Sequence, residues 1–109
     1  MKAFKINAET NTVEEVEYTG YKSIQEYGGF DCFTVGSYFL NRDTLYVDDE
    51  GALKGDTRGF YFDGNAMFGN GVVCGSDAMG ETVDVKSTKE EVEKRITWLP
   101  LGKVFQFNW

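Results

Sequence analysis

Residues 65–77, NAMFGNGVVCGSD, decide between two folds. Gly69, Gly71 and Gly75, with Asn65 and Asn70, surround a short apolar run. A glycine-rich loop that feeds a helix holds phosphate in α/β nucleotide-binding domains, whereas Asn-Gly between strands closes an antiparallel hairpin. Gly69-Asn70-Gly71 begins a G-x-G, but the sixth place of the dinucleotide fingerprint is Cys74, and Gly75 comes one residue late. No Gly-Lys-Ser/Thr is present, and no helix is expected to follow. Asn70-Gly71 instead supplies the residue types of a type I′ turn. The stretch therefore reads as a turn, and the fold as antiparallel.

The flanking sequence extends that reading. KAFKIN (2–7) and TVEEVEYT (12–19) read as strands, the second with Glu14, Glu15 and Glu17 on a solvated face that discourages edge pairing. YKSIQEY (21–27) reads as a short helix stopped by Gly28-Gly29. FDCFTVGSYFL (30–40) is rich in strand formers, and Gly36 marks a bulge or a close backbone approach. TLYV (44–47), GFYF (59–62), GVVCG (71–75) and TVDV (82–85) are further strands, and DDEG (48–51) is a turn. STKEEVEKRITWL (87–99) reads as the longer helix, capped by Ser87 with Glu90, burying Val92, Ile96 and Leu99, and stopped by Pro100. KVFQFNW (103–109) reads as a last strand with Phe105, Phe107 and Trp109 on one face. The fold class expected is α+β: one domain over 1–109, with a largely antiparallel sheet of about six strands, one short helix and one longer.

Composition bounds the function. The 109 residues carry a net charge of −7, and residues 1–53 hold ten acids against four bases. Such a surface repels phosphate backbones and anionic lipid, so direct nucleic-acid binding and membrane adhesion are disfavoured. No apolar run is long enough to span a bilayer, and MKAFKINAET has no apolar core of a signal peptide. A cytoplasmic setting is expected, with Cys32 and Cys74 as reduced, partly buried, small apolar residues.

The chain has no histidine, which removes His-based nucleophilic catalysis, His metal sites and the usual general base near neutral pH. Asp43, Asp48, Asp49 and Glu50 form the one dense acidic cluster, but they do not fit the calcium-loop pattern. RGFYFDG (58–64) partly matches the RNA-recognition octapeptide at Arg58, Gly59, Phe60 and Phe62, and departs from it at Tyr61, Asp63 and Asn65. Aromatics at strand spacing are more often core than base-stacking platforms. No enzyme activity, cofactor or metal is expected.

YGGF (27–30), LYVDDEGALKG (45–55), NGVVCGSDAMGETVDV (70–85) and TKEEVEKRITWL (88–99) occur in an order that resembles the phage- and plasmid-encoded family called domain of unknown function 3846. The resemblance covers roughly residues 20–99. Cys74 departs from the aliphatic residue of the pattern, and the aromatic tail lies outside it. The family supplies no catalytic residues. The resemblance implies a small accessory protein of a mobile element, acting inside a bacterial cell. It also implies that Gly28, Gly29, Gly51, Gly71 and Gly75 are fold positions, and that Asp77 turns the chain after its strand.

The leading expectation is a non-catalytic protein that binds and modulates a host bacterial protein. Interfaces concentrate Tyr, Trp and Arg, so Arg58, Tyr61, Tyr46 and Trp109 are its candidate anchors. The alternative is a nucleotide-type small-ligand binder with Asn65, Asn70 and Arg58 as polar contacts. An acidic mimic of nucleic acid comes third.

Overall fold

The computed structural model describes residues 1–51, 58–100 and 103–105. Along them the chain forms β1 (Lys2–Asn7), β2 (Thr12–Glu17), α1 (Tyr21–Gly28), β3 (Phe33–Tyr38), β4 (Thr44–Asp48) and β5 (Gly59–Phe62). There follow β6 (Asn65–Phe68), β7 (Gly71–Ser76), β8 (Thr82–Val83), α2 (Lys89–Lys94) and β9 (Ile96–Trp98). Six strands make one antiparallel sheet in the order β2-β1-β7-β4-β3, with β8 on β7. A second sheet runs β6-β5-β9. The class is α+β, as the pattern of strands and turns implied.

Side-chain alternation sorts the large sheet into two faces. Phe4, Ile6, Val13, Leu45, Val47 and Val73 bury against Phe60 and Phe62 of the small sheet and Val92 of α2. Ala3, Val72 and Cys74 bury on the opposite face with Ile24 of α1 and Phe30. The result is three layers: α1, the large sheet, then the small sheet with α2. Phe60 and Phe62 are fully buried, so each contributes about 2–3 kcal/mol by removal from water. The resemblance of 58–64 to an RNA-binding strand thereby ends in packing, because the matching aromatics are core.

Helix α1 ends as its sequence dictates. Gly29 adopts φ +72° and its N–H bonds to the Gln25 carbonyl. The longer helix does not form as read. Its box is Thr88 with Glu91 rather than Ser87 with Glu90, and it stops at Lys94. Ile96-Thr97-Trp98 leave as strand β9 against β5, because two β-branched residues and an aromatic suit a pleated surface better than a helix. Pro100 ends nothing helical.

The turn at the centre of the sequence reading also moves. Asn70-Gly71 closes no hairpin: β6 and β7 belong to different sheets, and Gly71 is already in strand, paired with Ile6 and Val47. A Cβ on Gly71 would lie 2.8 Å from Leu45 Cδ1 and 3.1 Å from Phe60 Cζ, so this glycine lets the two sheets approach. The type I′ turn is Asp63-Gly64, with φ of 51° and 82°, joining β5 to β6. Asp77 turns the chain as expected, its Oδ1 accepting from the Met79 and Glu81 N–H groups. Cys74 is buried, but Cys32 is exposed rather than partly buried, since it lies in the bend before β3. In the tail, Phe107 and Trp109 lie outside the described residues.

Candidate functional site

Strand β3 begins in register with β4, Phe33 opposite Asp48 and Val35 opposite Tyr46, and the register then shifts at Gly36. Beyond the shift Tyr38 lies opposite Thr44. Without the extra residue Ser37, not Tyr38, would follow Val35 on the α1 side. The bulge thus re-aims Tyr38 onto the face that carries Phe33, Val35 and Tyr46. Glycine suits the extra position, since a Cβ there would lie 3.1 Å from the Val47 methyls and 3.2 Å from Met67 Sδ.

Helix α1 is only eight residues long and covers part of that face. The remainder is aromatic. Tyr21 packs 6.1 Å from Phe33, and Phe33 meets Tyr46 edge-on at 5.4 Å. Tyr46 is half-buried, and burial pushes its hydroxyl above the ordinary value, with Cys74, Tyr18, Tyr21 and Tyr38 adding to the shift. Tyr46 stays a neutral donor. Tyr21 and Tyr38 flank it with 71% and 76% of their surfaces in water.

From Tyr38 the chain passes into a tight loop. Arg42 N–H bonds to the Phe39 carbonyl, Arg42 has φ 74°, and Phe39 N–H bonds to the Asp43 carbonyl, which closes a three-residue hairpin loop. Leu40 at its tip is fully exposed. The loop separates two open clefts. One, of about 470 Å³, is walled by Asn41, Ser87, Glu91, Lys94 and Arg95. The other, of about 500 Å³, is walled by Arg42, Thr44, Ser76 and Asp77 and borders the turn that exposes Met79.

This loop is held from beneath by Asp43. Its carboxylate, fully buried, accepts from the Lys86 N–H at 3.0 Å, the Ser87 N–H at 2.8 Å and the Ser87 hydroxyl at 2.7 Å. Asn41 completes the lock, donating to Ser87 Oγ and accepting from the Asp43 N–H. Arg95 braces the other side. It forks onto Asp63 through Nε and Nη2, and stacks 4.0 Å above Phe39 and 4.6 Å above Phe62. The hydrogen bond from Arg95 holds the Asp63 carboxyl below its ordinary value.

The residues singled out in the sequence divide sharply. Tyr46 lies in the aromatic face. Arg58 is an internal brace: Nε donates to the Ala8 carbonyl, Nη1 to those of Pro100 and Lys103, and Nη2 to Asn11 Oδ1. Asn70 likewise serves the fold, Oδ1 accepting from Ala8 N–H at 2.8 Å. Tyr61 sits in the small sheet, half-buried and edge-on to Phe105 at 5.4 Å. Asn65 is exposed after the Asp63-Gly64 turn, and Trp109 lies outside the described residues. These residues therefore do not converge on one site. The acidic cluster also separates, with Asp43 buried at one end of β4 and Asp48, Asp49 and Glu50 at the other. Among the described residues, no three Cys, Asp or Glu side chains come together to hold a metal ion. Tyr21, Tyr38 and Leu40 were missed because exposure of an aromatic has no linear mark; the clue available was Gly36, whose bulge decides where Tyr38 points.

Residues 1–97 match the family described as domain of unknown function (DUF3846). The chain belongs to that family. The match reaches back through β1 and β2, further than residues 20–99, and ends inside β9. It takes in the whole aromatic face of this DUF3846 member, and Arg58 ties residues beyond the match to its first hairpin turn. No curated protein and no solved structure matches the chain. No helix among the described residues is long and apolar enough to cross a membrane.

Proposed function

We propose that this DUF3846 protein is a non-catalytic binding protein of a phage or plasmid that docks on a protein of its bacterial host. The observation that carries the reading is the run of exposed apolar side chains on a locked support: Tyr21, Tyr38 and Leu40 beside Tyr46, above the buried Asp43 network. A contiguous exposed apolar patch costs solubility and is characteristic of interaction sites. Tyrosines bury large area for little lost rotamer freedom, and a preorganised loop lowers the ordering cost of binding. The reading places the protein in the host cytoplasm, where a partner would be modulated by occupation of its surface. The small-ligand alternative is weaker. The clefts fall in the ligand size range, but both lie open to solvent, and the chosen polar contacts Arg58 and Asn70 make hydrogen bonds within the fold and line neither cleft.

The test is capture from bacterial lysate with the tagged full chain beside a Tyr38→Ala/Leu40→Ala double variant, read by native and denaturing mass spectrometry. A stoichiometric protein retained by the wild type and depleted about tenfold or more by the variant is expected, as for loss of interface anchors. Equal capture by both would remove this surface from the reading. A small-molecule mass surviving under native conditions alone would make the protein a ligand binder.

A further inference from the structure

The large sheet treats its two edges differently. Strand β2 carries Glu14, Glu15 and Glu17, all exposed, at one edge. Strand β3 forms the other edge and has no charged residue in Phe33–Tyr38. Charged edges repel added strands, and uncharged ones invite them.

Hydrogen-bond alternation shows which β3 groups are free. Asp49 N–H bonds to the Cys32 carbonyl at 3.1 Å, so the Cys32–Asp49 pair is a bonded one. Thr34 is the next to bond inward to β4, and the N–H and C=O of Phe33 and Val35 point away from the sheet. On the far side of the bulge, Phe39 N–H bonds to the Asp43 carbonyl at 2.9 Å, which turns Tyr38 outward by the same alternation. Phe33 and Val35 are two residues apart, the spacing at which a short antiparallel strand would form four hydrogen bonds. The bulge then bends the edge and ends the run.

The geometry points to β3 as a strand-addition site for a short, extended, basic segment of a protein partner, bound at Phe33 and Val35 and flanked by the aromatic face. This rests on the docking reading above and specifies its mode. A basic segment is favoured over a second copy of the chain, since two β3 strands paired about a two-fold axis at Thr34 would bring the same acidic residues of both copies together. The charge sense follows from the exposed Asp31, Asp49 and Glu50 at the start of β3, on a chain of net charge −7. Alternate side chains of the added strand would lie beside Phe33 and Tyr21, so apolar residues belong between the basic ones.

The experiment titrates the full chain with an acetylated, amidated hexapeptide of alternating Arg and Val, and with its Glu-Val counterpart, while amide exchange is followed by NMR. The Arg-Val peptide is expected to slow exchange at Phe33 and Val35 by about tenfold or more, with the Glu-Val peptide without effect. Val35→Pro removes an outward donor while sparing the β4 ladder, and is expected to abolish the protection with the thermal transition retained. Should that variant fail to fold, N-methylation of alternate peptide amides removes the same hydrogen bonds from the other side, and one of the two methylation registers must then lose protection. Shifts at Tyr21, Tyr38 and Tyr46 without edge protection would overturn strand addition and leave docking on the aromatic face standing. No perturbation by the Arg-Val peptide, or a doubled mass by sedimentation that Val35→Pro reverses, would overturn the proposal as well.

Discussion

Asp43 shows how one side chain can support a surface it never touches. Its carboxylate, fully buried, gathers two backbone N–H groups and a hydroxyl, and joins the β3–β4 loop to the segment before α2. Asp43→Ala would leave the Ser87 N–H and hydroxyl buried without this acceptor, and the Lys86 N–H partly so. We expect a loss of roughly 2–4 kcal/mol in urea denaturation, with Asp43→Asn costing less because one acceptor oxygen remains. Nothing local in the sequence distinguishes this aspartate from its neighbours Asp48, Asp49 and Glu50. Its partners lie more than forty positions away, and only folding makes it the buried member. Arg58 is the opposite case: its residue type suggested an interface anchor, and the structure spends its guanidinium on backbone carbonyls.

Turns and helix ends set the limits of the elements, and here local chemistry reads unevenly. The Gly29 stop and the Gly36 irregularity were visible because each has a backbone cause that acts within a few residues. Two Xaa-Gly pairs of equal local merit, Asp63-Gly64 and Asn70-Gly71, took different roles because the first joins strands of one sheet and the second lies where two sheets cross. The two glycines should therefore respond differently to alanine. Gly64→Ala meets no neighbour but must hold φ near +82°, costing about 1 kcal/mol. Gly71→Ala keeps an ordinary φ but drives a methyl into Leu45 and Phe60, costing about 1–3 kcal/mol. Denaturation midpoints of the pair measure the difference; equal, negligible effects would contradict both assignments. The early end of α2 has the same origin, since Ile96 and Trp98 gain a partner in β5 that no local pattern reveals.

At the scale of the whole molecule, three layers give the two cysteines opposite chemistry. Burial pushes the Cys74 thiol up to about 12 from an ordinary 9.0, with Asp43 adding to the shift, whereas Cys32 stands in water. Iodoacetamide at pH 8 should label one thiol in the native protein and both in urea, counted by mass; two fast adducts would place Cys74 outside the core. The raised value also has a stability consequence. Below about pH 9 both folded and unfolded thiols are protonated and the contribution is whole. Between about 9 and 12 only the unfolded state releases its proton, so stability falls as pH rises. Asp63 has the reverse sense: its lowered value stabilises the fold above the ordinary carboxylate range, and that stability is lost in acid.

The sequence by itself determined the α+β class, most strand positions, the first helix with its glycine stop, and membership of DUF3846. These follow from periodicity, turn chemistry and an ordered set of short motifs, all of which act over neighbouring residues. Which strands pair, which aspartate is buried, which arginine is consumed and which tyrosines stay in water were decided only by the tertiary structure. Each of those depends on groups brought together from distant parts of the chain, and a side chain's free energy in the fold is set by what surrounds it.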